Sequence, residues 1–140
     1  MKNVISTAAG ALAGIISYLV GGFDVPLLVL VVFMIIDYIA GLVVAAVFHT
    51  SPKSPNGGLE SMAGWKGLAR KVMTLLLVVV GHLVDLLLGA QIVRTALIVG
   101  FCANEAVSIL ENAGHMGLPI PEILTRSIDQ LMHKEGTGHD

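Results

Sequence analysis

Between Ile5 and Phe23 the chain carries no charged side chain, and from Val25 to Val47 it carries one, Asp37. Runs of 19 and 23 residues reach roughly 28 and 35 Å at about 1.5 Å per residue, which matches a bilayer hydrocarbon core of about 30 Å. A backbone placed in lipid must satisfy its own N–H and C=O groups, and for runs of this length that means helices. Two further runs follow: Val72 to Ala90, with His82 and Asp85, and Ile92 to Leu110, with Arg94, Asn104 and Glu105 inside it. Soluble domains carry about 25% charged residues. Here 13% are charged, 55% are hydrophobic and the mean hydropathy is +0.85, too little polarity to cover a water-soluble globule. The fold class predicted is all-α integral membrane, with four transmembrane helices as two hairpins plus a short C-terminal amphipathic helix.

Gly21, Gly22, Asp24 and Pro26 predict a tight turn between the first two spans, and Gly89, Ala90 and Gln91 predict another between the last two. A polar loop, residues 48–71, separates the hairpins and contains Pro52, Pro55 and Gly57-Gly58. The transmembrane bundle is thus expected over 1–113, with spans at 5–23, 25–47, 72–90 and 92–110. In the C-terminal segment 114–134, Leu124, Ile128, Leu131 and Met132 lie within one helical arc too short to span. A flexible tail is expected over 135–140. A second full span follows the first at once, which argues against reading the first as a secretory signal peptide. Lys53, Lys66, Arg70 and Lys71 in the loop, Lys2 before span one, and Arg126 and Lys134 after span four all fall on one side; neither turn holds Lys or Arg. The basic side is the cytoplasmic side, so both termini and the central loop are expected there.

A charge at the bilayer centre costs roughly 2.5 to 3.5 kcal/mol on insertion scales, so each intramembrane charge needs a partner or a purpose. Asp37 and His82 fall at matching depths on antiparallel spans, and so do Asp85 and Arg94, which predicts two pairs. Glu105 has no cation opposite it in the other spans. Asn104, Ser108, Glu111 and Asn112 recur at helical spacing, and Arg94 and Glu105, eleven residues apart, project in nearly the same direction. Such a stripe faces protein or water; it is either glue within the bundle or the lining of a polar lesion formed by assembled subunits. Gly10, Gly14 and Gly21 in span one, and Gly41 in span two, are the helix-packing candidates, within one chain or between copies.

The chemistry of catalysis is missing. His82-x-x-Asp85 is not a zinc pattern, and Cys102, the single cysteine, sits in an apolar span where thiols are inert. Gly57-Gly58 lacks the lysine of a phosphate loop. A net charge of −2 gives no case for a nucleic-acid partner. No enzyme, cofactor or metal site is expected.

Several blocks carry a resemblance. Asp37-Tyr38-Ile39-Ala40-Gly41, Lys66-Gly67-Leu68-Ala69-Arg70-Lys71, and above all Asn104-Glu105-Ala106-Val107-Ser108-Ile109-Leu110-Glu111-Asn112 followed by Gly117-Leu118-Pro119-Ile120-Pro121 resemble the toxin-secretion/phage-lysis holin family of Gram-positive bacteria and their phages. The blocks cover residues 37–131, about two thirds of the chain. The resemblance implies a small protein that accumulates in the bacterial cytoplasmic membrane and forms homo-oligomers. At a set time it permeabilises the membrane, so that an endolysin or a toxin without a signal peptide reaches the wall. Two alternatives stay open: an antiholin regulator, or a small ion or solute transport subunit using Asp37, His82 and Glu105 as a relay.

Overall fold

The computed structural model describes residues 1–136. Its elements are α1 (Lys2–Leu19), α2 (Val25–Val43) continued by a π-helical turn (Val44–Phe48), α3 (Ser61–Leu88), α4 (Val93–His115) and α5 (Glu122–Gly136). No strand occurs among the described residues. Three of the helices, Val25–Phe48, Ser61–Leu88 and Val93–His115, are long and apolar enough to cross a membrane. The shorter α1, 18 residues opening on Lys2-Asn3, is not one of the three.

Local chemistry sets most boundaries. Asp24 caps α2 by accepting the Leu27 backbone N–H at 3.1 Å, and Pro26 sits in the first turn, where its missing N–H is no loss. The helix closes through the π turn onto His49, which is left-handed at φ 53°. Gly89, at φ 64°, ends α3. The predicted loop 48–71 is too long, because residues 61–71 form the first three turns of α3. Polarity ends a membrane run, but Lys, Arg, Glu and Ser do not end a helix; the proline- and glycine-rich stretch stops short of Ser61. Likewise α5 continues through Glu135 and Gly136, and the rest of the expected tail lies outside the described residues.

The centre of the bundle is α4, which packs along both α2 and α3, whereas α2 and α3 touch each other only sparingly. Leu27, Leu30 and Met34 of α2 meet Val78 of α3 and Ile98 and Cys102 of α4, spacings of three, four and seven that put each set on one helix face. Gly81 lets α3 and α4 approach closely: a Cβ there would stand 3.3 Å from the Arg94 Cα and 2.5 Å from Leu97 Cδ1. Tyr38 bridges the looser α2–α3 side, lying over Gly64 and Gly67.

The first expected hairpin has its turn but not its packing. Helix α1 does not lie along α2; only its C-terminal end meets the bundle, at α3, and it has no buried residue. Around Gly10 and Gly14 there is no atom within 4 Å of an added Cβ, so that face has no partner among the described residues.

Candidate functional site: two polar clusters on α4

The buried charges fall into two groups about 16 Å apart along α4, eleven residues at helical rise. Between them lie Leu30, Met34, Val78, Ile98 and Cys102.

The inner cluster joins three helices. Lys71 of α3 places its ammonium 2.7 Å from Asp37 Oδ2 of α2 and 2.5 Å from Glu105 Oε2 of α4. The other oxygen of Asp37 accepts the Ser108 hydroxyl at 2.6 Å and the Asn112 side-chain amide at 3.0 Å; that amide also reaches the Asp37 carbonyl at 3.4 Å. One cation thus serves two carboxylates, and two neutral donors from α4 complete the shell of Asp37. Buried charges persist only when paired and hydrogen-bonded in this way, because desolvation of each ion is expensive.

The outer cluster ties the helix ends together. Asp85, in the last turn of α3, accepts the backbone N–H groups of Ile92, Val93 and Arg94 at 3.1, 2.9 and 2.9 Å. These are the orphan donors at the N-terminus of α4, where the helix dipole also favours an anion. The Arg94 side chain points the other way. It donates to the carbonyls of Val20 and Gly22 and, through both terminal nitrogens, to the Asp24 carboxylate at 2.7 and 3.1 Å. The guanidinium holds the Asp24 carboxyl below the usual carboxylate range. Gly21, at φ 78°, makes room for it: a Cβ there would fall 2.8 Å from Arg94 Nε and 2.6 Å from His82 Nδ1.

Three expected relations are therefore corrected. Asp37 does not pair with His82, which instead meets the Tyr18 ring edge-on at 6.4 Å between centroids. Asp85 and Arg94 do meet, but through the Arg94 backbone and not its side chain. Glu105 does have a cation, Lys71, which the expected loop 48–71 places outside the spans but which belongs to α3. The signal was present: Lys71, Val78 and Asp85 follow one another at intervals of seven, which places Lys71 on the inner face of α3. The stripe on α4 is split: Ser108 and Asn112 turn inward to Asp37, while Asn104 and Glu111 are exposed. Gly41 has only an ordinary neighbour, Asn112 Nδ2 at 3.9 Å from an added Cβ.

Beside the inner cluster, α2, α3, α4 and the 49–60 loop enclose a cavity of about 320 Å³. Asp37, Lys71, Glu105, Asn104 and Ser108 line its inner end, and Lys53, Glu60 and Arg70 line its loop side. Among the described residues no three His, Cys, Asp or Glu side chains come together as a metal site.

A protein whose long apolar helices bury Asp37, Asp85, Arg94 and Glu105 beneath a largely hydrophobic exterior belongs to the class built for the membrane. The particular lineage follows from comparison: the chain belongs to the bacteriophage holin family, whose model matches residues 14–133. It is 37% identical to an uncharacterized protein of Listeria monocytogenes, over 100% of this chain and 94% of that one. It is 34% identical to an uncharacterized protein of Halalkalibacterium halodurans, over 96% of this chain and 98% of that one. A probable holin of Bacillus phage phi105 is 33% identical over 69% of this chain and 66% of its own length. No solved structure matches. Family and architecture together support a non-enzymatic membrane protein.

Proposed function

We propose that this holin-family protein is itself a holin: it collects in the bacterial cytoplasmic membrane, assembles with copies of itself, and opens the membrane to an endolysin or a toxin without a signal peptide. The observation that carries this reading, beyond family membership, is the way α4 stores its polarity. In the single chain Glu105, Ser108 and Asn112 are fully engaged by Lys71 and Asp37, so the bundle stays closed while it accumulates. Subunits that exchange these internal partners for water and for one another expose a ready-made hydrophilic wall. Inducing the protein alone is expected to collapse the membrane potential, and co-expression of an endolysin lacking a signal peptide is expected to produce lysis. Continued growth with intact potential, despite confirmed insertion, would favour the antiholin or transport alternatives.

The same proposal includes four crossings with both termini and the 49–60 loop in the cytoplasm. Supporting it, Val4, Ile5, Leu12 and Ile15 of α1 are all strongly exposed, a surface suited to lipid and not to water. In a Cys102→Ser background, a cysteine at Ser54 is expected to resist impermeant thiol reagents in intact cells and to react in inside-out vesicles. Labelling from outside would reverse the orientation.

A further inference from the structure

Next to the inner cluster, the cavity is built from two kinds of wall. On the loop side stand Lys53 and Arg70, neither of which forms an ion pair among the described residues; Lys71, by contrast, is fully occupied by Asp37 and Glu105. Glu60 is the one carboxylate on the loop side, which is therefore cationic by one charge, while Asp37 and Glu105 exceed Lys71 by one at the inner end, so the cavity is polarised with its positive side at the loop. The other wall is Leu42, Met73 and Leu77, which are 37%, 53% and 37% exposed, so the cavity is continuous with the outer apolar surface of α2 and α3. A purely aqueous vestibule would not open sideways onto lipid-facing leucines.

Depth agrees. Helix α3 has 28 residues, about 42 Å at helical rise, against a hydrocarbon core of about 30 Å. Counting about twenty residues back from Leu88 reaches Ala69, so Arg70 lies at the hydrocarbon edge and Lys66 and Trp65 lie among the headgroups. Trp65, the single tryptophan, is 69% exposed there, in the interfacial position that indoles favour.

The geometry points to a phospholipid site in this cavity: Lys53 and Arg70 hold the phosphodiester of an anionic phospholipid of the leaflet on the loop side, and one acyl chain runs along Leu42, Met73 and Leu77. A guanidinium and an ammonium suit phosphate oxygens, the first in a forked geometry and the second as a point charge. Bound there, the lipid fills the gap that α2 and α3 leave between them. This inference rests on placement in the membrane and not on the lytic role, so the two fail separately.

The test is native mass spectrometry of the purified full-length protein in non-ionic detergent, titrated with phosphatidylglycerol, phosphatidylcholine or inorganic phosphate. Phosphatidylglycerol is expected to stay bound to the wild type and to bind about tenfold or more weakly to Lys53→Gln/Arg70→Gln, which lacks both cations that hold the phosphodiester. Lys2→Gln/Lys66→Gln removes equal charge outside the cavity and is expected to bind as the wild type does. Thr74→Trp, which fills the cavity and spares both cations, is expected to lose the lipid too, with helicity unchanged. Equal binding by wild type and the Lys53/Arg70 variant, equal loss in the two double variants, or full displacement by inorganic phosphate overturns the site.

Discussion

Replacing Lys71 by alanine is expected to destabilise the protein by about 3 to 5 kcal/mol, the usual result of stripping one partner from a buried ion pair. Asp37 and Glu105, 6% and 8% exposed, would then face each other across a space without a counter-charge. Unfolding of the purified protein in a graded anionic-detergent titration measures the loss. Neutralising all three, Asp37→Asn/Lys71→Met/Glu105→Gln, is expected to recover most of it, because no uncompensated charge remains. Asp37→Asn and Lys71→Met should be strongly non-additive, whereas Asp37→Asn and His82→Ala, which share no partner, should add to within about 0.5 kcal/mol. A Lys71→Ala protein as stable as the wild type would remove the inner cluster from any account of the resting bundle.

The second large effect is expected at the outer cluster. Arg94 reaches back to Val20, Gly22 and Asp24, the segment from which α1 hangs, and among the described residues no other buried polar contact holds that helix. Arg94→Lys keeps the charge but loses the fork that spans two carbonyls and a carboxylate, and is expected to cost at least about 2 kcal/mol. Gly21→Ala is expected to match it, since the new methyl meets both Arg94 and His82 in a backbone conformation that L residues rarely adopt. Cysteines at Tyr18 and His82 in a Cys102→Ser background report on the attachment: crosslinking should be efficient in the parent and weak in either variant. Undiminished crosslinking would show that α1 is held by something else. The clasp also has a pH signature. The Asp24 carboxyl is lowered from 3.8 chiefly by its hydrogen bond from Arg94. Its contribution is therefore complete above about pH 4 and fades as the carboxylate is protonated at its lower folded value.

Much of this arrangement was legible in the chain. Uncharged runs locate α2 and the apolar parts of α3 and α4, because lipid admits few alternatives. Helical spacing groups Asn104, Ser108, Glu111 and Asn112 into one stripe on α4, of which Ser108 and Asn112 meet Asp37 while Asn104 and Glu111 are exposed. Partner choice was not legible. Depth arithmetic takes the third span to begin at Val72, whereas α3 begins at Ser61 and packs Val78 against Leu27 and Leu30, a register that sets Asp37 level with Lys71 and leaves His82 about 16 Å further along the helix. Nor does depth separate a backbone acceptor from a side-chain one, and for that reason Asp85 and Arg94 looked like an ion pair. The packing of α1 could not be read either: Gly10-x-x-x-Gly14 permits close approach but names no partner.

The central place of α4 also has a bearing on biosynthesis. Helices α2 and α3 leave the ribosome first, carrying Asp37 and Lys71, while Glu105, Ser108, Asn112 and Arg94 are still untranslated. Until α4 arrives, one carboxylate and one ammonium have only each other, Asp85 has no amide groups to cap, and the turn below α1 has no guanidinium to hold it. The last of the long helices to be synthesised is the one that completes both clusters, so neither cluster can close until α4 has been made.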